Sequence, residues 1–155
     1  MTLENLNPQQ LQAVRHSEGP LMVVAGAGSG KTRVITCRIA HLIKEKGISP
    51  ESILAITFTN KAAREMRGRI ESLLGQSFSG MWVGTFHGLA HRLLRSHWRE
   101  AGLVQYFQIL DSDDQLRLIK RINRSLQIDE DKWPAKQCQW YINGQKDEGL
   151  RAANI

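Results

Sequence analysis

The stretch of sequence that decides the fold is residues 25–32, which read Ala25-Gly26-Ala27-Gly28-Ser29-Gly30-Lys31-Thr32. An apolar run, residues 21–24, precedes this stretch, and a segment with apolar residues at helical spacing follows it. Strand, glycine-rich turn and helix in this order are typical of a phosphate-binding loop, or P-loop. The sequence therefore predicts that main-chain N–H groups and the positive end of a helix hold a phosphate chain at this turn.

The residue types in this loop fit phosphate chemistry. Its three glycines keep Cβ atoms away from the main-chain N–H groups. Lys31 is expected to reach the β- and γ-phosphates, and the Thr32 hydroxyl is expected to ligate Mg²⁺. Ala25 replaces the first glycine of the consensus G-x-x-x-x-G-K-[ST], a departure that leaves the phosphate-facing glycines intact. The alternative is a glycine-rich turn in an unrelated α/β protein.

The composition is that of one ordinary globular domain. The chain has 155 residues, of which 41% are hydrophobic, and a formal net charge of +6. This mild basic excess suits a polyanionic partner but is also common in enzymes that bind no nucleic acid. Cys37 and Cys138 lie far apart, residues 1–5 lack the features of a signal peptide, and no apolar run is long enough to span a membrane. We expect free thiols and a soluble, cytoplasmic protein.

Two further segments repeat the order of strand and helix. Residues 53–57 form an apolar run that leads into a helical pattern, with Asn60 as the expected helix cap. Residues 81–85 form a third short strand, and Phe86-His87-Gly88 follows it. Three strands that alternate with helices predict an α/β fold with a parallel sheet and helices on both faces.

Helical patterns occupy the two ends of the chain. Asn7 and Pro8 are typical of a helix start. From residue 88 onward the pattern is helical, with one helix expected from Asp113 and another from Trp133 or Pro134. We therefore expect a sheet-containing domain over residues 1–87 and a mostly helical region over residues 88–155.

Polar and aromatic residues follow the second and third predicted strands. Residues 57–60 and residues 85–87 supply hydroxyl, amide and imidazole groups together with the rings of Phe58 and Phe86. Small polar groups bind nucleic-acid phosphates, and an exposed aromatic ring offers a base a stacking surface worth about 1–3 kcal/mol. From the residues alone, it is equally plausible that the threonines end the strands and the rings fill the core.

Other clusters favour structural interpretations. The basic run over residues 87–99 is typical of a solvated helix face, and Gly88 stands where a zinc-binding H-E-x-x-H motif needs its glutamate. Residues 111–115 resemble the start of a calcium loop, but Leu116 stands where that loop needs glycine, so helix capping explains them better. Helical spacing favours core positions over base stacking for three aromatic residues, Trp133, Trp140 and Tyr141.

Four motifs in order resemble the N-terminal part of the UvrD/Rep/PcrA-type superfamily-one DNA helicases. Leu6-Asn7-Pro8-Gln9-Gln10 is similar to the Q motif, and residues 25–32 are similar to Walker A. Residues 57–63 are similar to motif Ia, and residues 84–87 are similar to motif Ib. Similarity to the family pattern extends to later stretches, residues 107–111, 140–142 and 145–150.

The resemblance implies a role for each matched residue. Gln10 would read the adenine edge, Arg33 would lie against the adenine, and Arg69 would approach the nucleotide. The implied site for ATP and Mg²⁺ consists of Gln10, Ala25, Gly26, Ala27, Gly28, Ser29, Gly30, Lys31, Thr32, Arg33 and Arg69, with Lys31 and Thr32 serving catalysis. The implied path of single-stranded DNA consists of Phe58, Thr59, Asn60, Thr85, Phe86 and His87.

The resemblance also implies parts that residues 1–155 lack. Such motors hold Mg²⁺ and orient water with a Walker B Asp-Glu pair, and a second RecA-like domain supplies arginines to the transferring phosphoryl group. No Asp-Glu-x-x-Asp sequence follows an apolar strand in this sequence. We therefore expect a truncated chain, with residues 1–87 in the first RecA-like motor domain and residues 88–155 in an inserted helical subdomain. Its nucleotide binding should be weak or absent, and its hydrolysis should stay at background.

The whole protein is then expected to be an ATP-driven helicase that moves 3′ to 5′ on single-stranded DNA in repair. DNA junctions and repair proteins are its expected partners, and a sheet edge left open by missing strands predicts self-association. Two alternatives remain: a complete P-loop kinase or small ATPase, and a non-enzymatic binding module with a vestigial P-loop.

Overall fold

The computed structural model describes residues 5–154. The expected lack of a signal peptide rests on residues 1–5 and falls almost entirely outside this range. No helix in the range is long and apolar enough to cross a membrane. Helices and strands follow one another as α1 (Pro8–Arg15), α2 (Lys31–Lys44), a 3₁₀ turn (Pro50–Ser52), β1 (Leu54–Thr57), α3 (Asn60–Leu74), β2 (Trp82–Thr85), α4 (Phe86–Ser96), α5 (Ser112–Ser125), α6 (Ala135–Asp147) and a second 3₁₀ turn (Ala152–Asn154).

The two strands form a parallel sheet. They pair in register from Leu54 opposite Trp82 to Thr57 opposite Thr85. One face of the sheet belongs to a buried cluster with residues of α2 and α3, namely Ile39, Ala40, Ile53, Ala55, Met66, Ile70, Leu74, Met81 and Val83. The expected α/β class is confirmed, and the sheet is open and consistent with an incomplete RecA-like fold.

Helix α4 lies on the other face of the sheet, so helices flank both faces. A Cβ atom added to Gly84 would lie 3.0 Å from Cγ of Leu89, which means that glycine allows α4 to approach β2 closely. Leu54, Ile56 and Leu93 line an apolar groove on this face and are all exposed. The described residues therefore cover this face only in part.

Residues 21–24 do not form the strand that the sequence predicts. In the described range the sheet consists of β1 and β2, and the run before the P-loop belongs to no ladder. Its exposure nevertheless alternates, from 43% at Leu21 to 85% at Met22, 46% at Val23 and 86% at Val24. This period of two is that of extended backbone. A strand also needs a hydrogen-bonding neighbour, and within the described residues this run has none.

Arginine side chains bind carbonyl groups along β2 and the residues before it. Arg67 of α3 donates to three of them at 3.2, 3.3 and 3.1 Å, those of Phe78, Met81 and Val83. Arg92 of α4 donates to the carbonyl of Met81 at 3.3 Å, and its guanidinium lies 4.2 Å from the centroid of the Trp82 ring. Of these carbonyls only that of Val83 lies within β2, so the arginines bind one acceptor of the strand and two just before it.

Helix starts follow the local sequence closely. Asn7 caps α1 as predicted, because its Oδ1 accepts from the N–H of Gln10 at 2.8 Å. Asp111 caps α5 by accepting from the N–H of Asp114 at 2.7 Å, which supports the capping interpretation over a calcium loop. The predicted cap of α3 is wrong: Thr59 caps the helix and Asn60 is its first residue. The strand β1 ends at Thr57. Thr59 still has extended backbone and directly precedes the first residue of the helix.

Contacts divide the chain into two compact units, Met1–Leu103 and Val104–Ile155. In this division α4 belongs to the unit that holds the sheet. The subdomain boundary expected at residue 88 concerns the whole protein and stays a prediction.

The second unit is built on α5 and α6, which side-chain amides join. Gln139 is buried and donates to the carbonyl of Ser112 at 2.7 Å and to Oε1 of Gln115 at 3.2 Å. Gln115 in turn donates to Oδ1 of Asn143 at 2.7 Å. Side-chain hydrogen bonds therefore join these two helices in addition to their buried apolar residues, Ile119 and Ala135.

The core positions favoured for the aromatic residues of this unit are wrong. Trp133, Trp140 and Tyr141 are all more than half exposed. The buried residues of α6 are Ala135 and Gln139, one turn apart, so this stripe of the helix faces inward. Positions 140 and 141 lie off that stripe because each residue turns about 100° around a helix axis.

Candidate nucleotide and nucleic-acid site

The P-loop is an exposed turn that ends at the start of α2. Gly30 precedes the first residue of the helix and has a φ of +88°, while Gly28 has a φ of +74°. Both values lie in the left-handed region, where a Cβ atom costs free energy. The backbone conformation therefore explains two of the three glycines of the loop, because Gly28 and Gly30 both have a positive φ.

Lys31 bends back over the loop. Its Nζ donates to the carbonyl of Ala25 at 2.8 Å and to the carbonyl of Gly26 at 2.6 Å. Thr32 lies exposed in the first turn of α2, beside the positive end of that helix. The loop thus combines an ammonium group, a hydroxyl and main-chain N–H groups within eight consecutive residues.

This set of groups fits a polyphosphate with Mg²⁺. A Cβ atom added to Gly26 or Gly28 would meet no atom within 4 Å, so open space adjoins the loop. Mg²⁺ bound to a nucleotide takes few protein ligands and fills its octahedron with phosphate oxygens and water, which a single hydroxyl such as that of Thr32 suits. The described residues contain no group of three or more His, Cys, Asp or Glu side chains placed to hold a metal.

Gln10 contacts the P-loop directly. Its Nε2 donates to the carbonyl of Ser29 at 3.0 Å, and its Oε1 accepts from the N–H of Asn7 at 3.0 Å. Sequence reasoning placed Gln10 near the nucleotide but missed both bonds. The bond from the N–H of Asn7 could have been predicted, because asparagine followed three residues later by glutamine is the spacing of a capping box.

Arg33 and Arg69 lie on neighbouring helices and are both exposed. They line one cleft between α2 and α3, together with Cys37 and Glu65. The structure therefore brings together two residues that the resemblance assigns to the nucleotide.

The parallel pairing of β1 and β2 brings the two aromatic segments together. Thr57 lies opposite Thr85, and each is followed by a phenylalanine. The ring centroids of Phe58 and Phe86 are 5.8 Å apart with the planes tilted by 55°. Phe58 is 89% exposed and Phe86 is 55% exposed, so the alternative that these rings fill the core is wrong. We call Phe58, Phe86 and the four polar residues around them, Thr59, Asn60, Thr85 and His87, the aromatic rim.

The polar residues of the aromatic rim lie at the starts of two helices. Thr59 caps α3 by accepting from the N–H of Ala62 at 3.1 Å, and Thr85 caps α4 by accepting from the N–H of Gly88 at 3.2 Å. Each hydroxyl keeps its proton for donation to another acceptor. Asn60 and His87 are exposed in the first turns of the same helices. The rim therefore combines donors and helix N-termini, both of which bind phosphate oxygens.

Curated proteins similar to this chain are bacterial DNA helicases. DNA helicase II of Escherichia coli (strain K12) is 60% identical over 153 residues, which are 99% of this chain and 21% of that protein. ATP-dependent DNA helicase PcrA of Bacillus subtilis (strain 168) is 48% identical over 146 residues, 94% of this chain and 20% of that protein. The chain spans about a fifth of the length of these relatives.

The family comparison covers nearly the whole chain. The model of the UvrD/REP helicase N-terminal domain matches residues 6–155. This range contains both the P-loop and the aromatic rim, the two surfaces whose geometry suits a nucleotide and a nucleic acid. The chain therefore belongs to the UvrD/REP helicase family, and its residues 6–155 match the N-terminal domain of that family.

Proposed function

We propose that this chain is the N-terminal part of an ATP-dependent DNA helicase that moves 3′ to 5′ on single-stranded DNA during DNA repair. The observation that carries the proposal is the exposed Phe58–Phe86 pair, which strand pairing assembles from two segments in a chain that also has a P-loop. Family membership supports an ATP-driven motor. The direction of movement and the role in repair rest on the resemblance to the family.

In this proposal the nucleotide binds at the P-loop. Main-chain N–H groups of residues 25–30 and the N-terminus of α2 hold the phosphates, while Lys31 leaves its loop carbonyls to pair with the β- and γ-phosphates. The Thr32 hydroxyl ligates Mg²⁺. Gln10 and Arg33 contact the adenine, and Arg69 approaches the nucleotide from the cleft between α2 and α3.

Single-stranded DNA binds at the aromatic rim. Bases stack on Phe58 and Phe86, whose tilted rings present two differently oriented faces. The hydroxyl, amide and imidazole groups of the rim bind neighbouring phosphates. DNA junctions and repair proteins are the proposed partners of the whole protein, and the cytoplasm is its proposed location. Residues 1–87 belong to the first RecA-like motor domain and residues 88–155 to an inserted helical subdomain.

Residues 1–155 alone should hydrolyse ATP only at background, because the Walker B carboxylates and the second-domain arginines lie outside this sequence. The test measures Mg²⁺-dependent hydrolysis with and without single-stranded DNA, for this chain and for the whole protein. The whole protein should show DNA-stimulated hydrolysis that falls at least about 100-fold in Lys31→Ala, because the cation that offsets developing phosphate charge is lost.

Lys46→Ala, a change at an exposed lysine just after α2, is the matched control and should leave the rate of the whole protein unchanged. DNA-stimulated hydrolysis by residues 1–155, abolished by Lys31→Ala, would contradict their proposed inactivity. Full activity of the Lys31→Ala whole protein would overturn the proposed nucleotide site.

We also propose that the isolated chain self-associates through β1. Arg67 binds the Val83 carbonyl of β2, whereas Leu54 and Ile56 of β1 remain exposed. An unpaired strand edge with apolar side chains favours pairing with a second chain.

A further inference from the structure

Gln10 is held at both ends of its side-chain amide. Its Oε1 accepts from the N–H of Asn7, which completes the capping box of α1, and its Nε2 donates to the carbonyl of Ser29. The side chain is therefore fixed by the protein before any ligand arrives. These two bonds use one lone pair of Oε1 and one N–H of Nε2, and each atom keeps one further hydrogen-bonding position. This geometry gives Gln10 a task in addition to the adenine contact proposed for it.

The contact with Ser29 fixes one peptide unit of the P-loop. In a trans peptide the C=O and N–H groups point in opposite directions, so the N–H of Gly30 points away from Gln10. A Cβ atom added to Gly30 would lie 3.0 Å from Nε2 of Gln10, so glycine permits this close approach as well as the positive φ. The directions of main-chain N–H groups decide how well such a loop binds an anion.

Hydrogen bonds continue from Ser29 to Lys31. The Ser29 hydroxyl donates to the carbonyl of Gly26 at 2.7 Å, and Nζ of Lys31 donates to the same carbonyl at 2.6 Å. Asn7, Gln10, Ser29, Gly26 and Lys31 thus form one continuous network from the cap of α1 to the ammonium group. Loss of the link at Gln10 would free the loop from α1.

We propose that Gln10 is a positioning residue for the P-loop, which it holds through the Ser29 carbonyl in a shape ready for a polyphosphate with Mg²⁺. The inference rests on the proposed nucleotide site and adds to it. Gln10 then contributes to phosphate affinity even when the ligand has no adenine. A residue that serves the base alone would affect ATP and leave an adenine-free polyphosphate untouched.

Two substitutions at Gln10 distinguish the bond to Ser29 from the bond to Asn7 and from the effect of charge. Gln10→Glu keeps an oxygen that accepts from the N–H of Asn7, so the capping box survives, but it removes the donor to Ser29. Gln10→Met removes both the donor and the acceptor without adding charge. Gln12→Glu is the matched control, because it makes the same charge change at an exposed position of α1.

The experiment measures the affinity of the whole protein for Mg²⁺–tripolyphosphate and for Mg²⁺–ATP by isothermal titration calorimetry. We expect Gln10→Glu and Gln10→Met to weaken tripolyphosphate binding about fivefold or more, as the loss of one hydrogen bond predicts, while Gln12→Glu changes it less than about twofold. Circular dichroism melting curves show whether each variant remains folded.

Tripolyphosphate affinity that stays at the wild-type value in both Gln10 variants, with ATP affinity reduced, would overturn this inference and leave an adenine role alone. Weakening by Gln10→Glu but not by Gln10→Met would also overturn it, because added charge would then be the cause. Wild-type protein that binds neither ligand would overturn the proposed function together with this inference.

Discussion

The P-loop and the aromatic rim belong to the same compact unit but are built in different ways. Eight consecutive residues supply the P-loop, and its shape depends on glycine conformations and on short hydrogen bonds within the loop and to α1. The rim is assembled from residues 57–60 and 85–87, which meet only because β1 and β2 pair in register. A functional surface built from consecutive residues can be predicted from a sequence motif. One built by strand pairing can be predicted only when the fold is known.

Removal of core packing beneath the sheet should give the largest effect and should affect the two surfaces unequally. Ile70 of α3 is fully buried in the cluster that supports β1 and β2. Ile70→Ala should lower the free energy of unfolding by about 2–5 kcal/mol, because it removes buried methylene groups and leaves a cavity. Urea unfolding followed by circular dichroism measures this change.

In the whole protein, Ile70→Ala should also weaken binding of single-stranded DNA more than binding of tripolyphosphate, since the rim depends on the sheet. Ile35→Ala, at an exposed apolar position of α2, is the control and should cost little stability. Equal losses of DNA and tripolyphosphate affinity in Ile70→Ala would show that the two surfaces are not independent.

Removal of the stacking rings should give the next largest effect, confined to the rim. Phe58→Ala in the whole protein should weaken binding of single-stranded DNA by about 1–3 kcal/mol, and Phe86→Ala should do so by a similar or smaller amount because its ring is less exposed. Fluorescence anisotropy with labelled single-stranded DNA at two salt concentrations measures both.

Tyr106→Ala is a suitable control, because Tyr106 is an exposed aromatic residue of the second unit, outside the rim. Tripolyphosphate affinity should stay unchanged in Phe58→Ala and Phe86→Ala. DNA affinity unaffected by both substitutions would remove the rim from the DNA path, and wild-type binding that does not weaken as salt rises would argue against phosphate contacts.

The smallest effect concerns the open side of the sheet. The isolated chain should form dimers or larger species as its concentration rises, and Leu54→Lys should reduce this association because a charge on an exposed edge strand disfavours pairing. Light scattering over a range of concentrations measures the mass. A wild-type chain that stays monomeric throughout would contradict the proposed association.

The difference in construction explains which features the sequence could predict. The caps at Asn7 and Asp111 and the glycine conformations of the P-loop depend on nearby residues, so local patterns sufficed. Residues 21–24 alternate in exposure as a strand would, but among the described residues they pair with no strand, because pairing depends on a neighbour. The exposure of Phe58 could not be read from spacing for the same reason. A strand-end phenylalanine is buried or exposed according to what covers the end of the sheet.

The arginine contacts along β2 have a consequence for folding order. Arg67 binds carbonyls only 11, 14 and 16 residues further along the chain, so α3 is joined to β2 and the residues before it by contacts that are short in sequence. Contacts of this kind form early, because little loop-closure entropy opposes them. The segment from β1 to β2 can therefore fasten β2 and the residues before it to α3 early in folding.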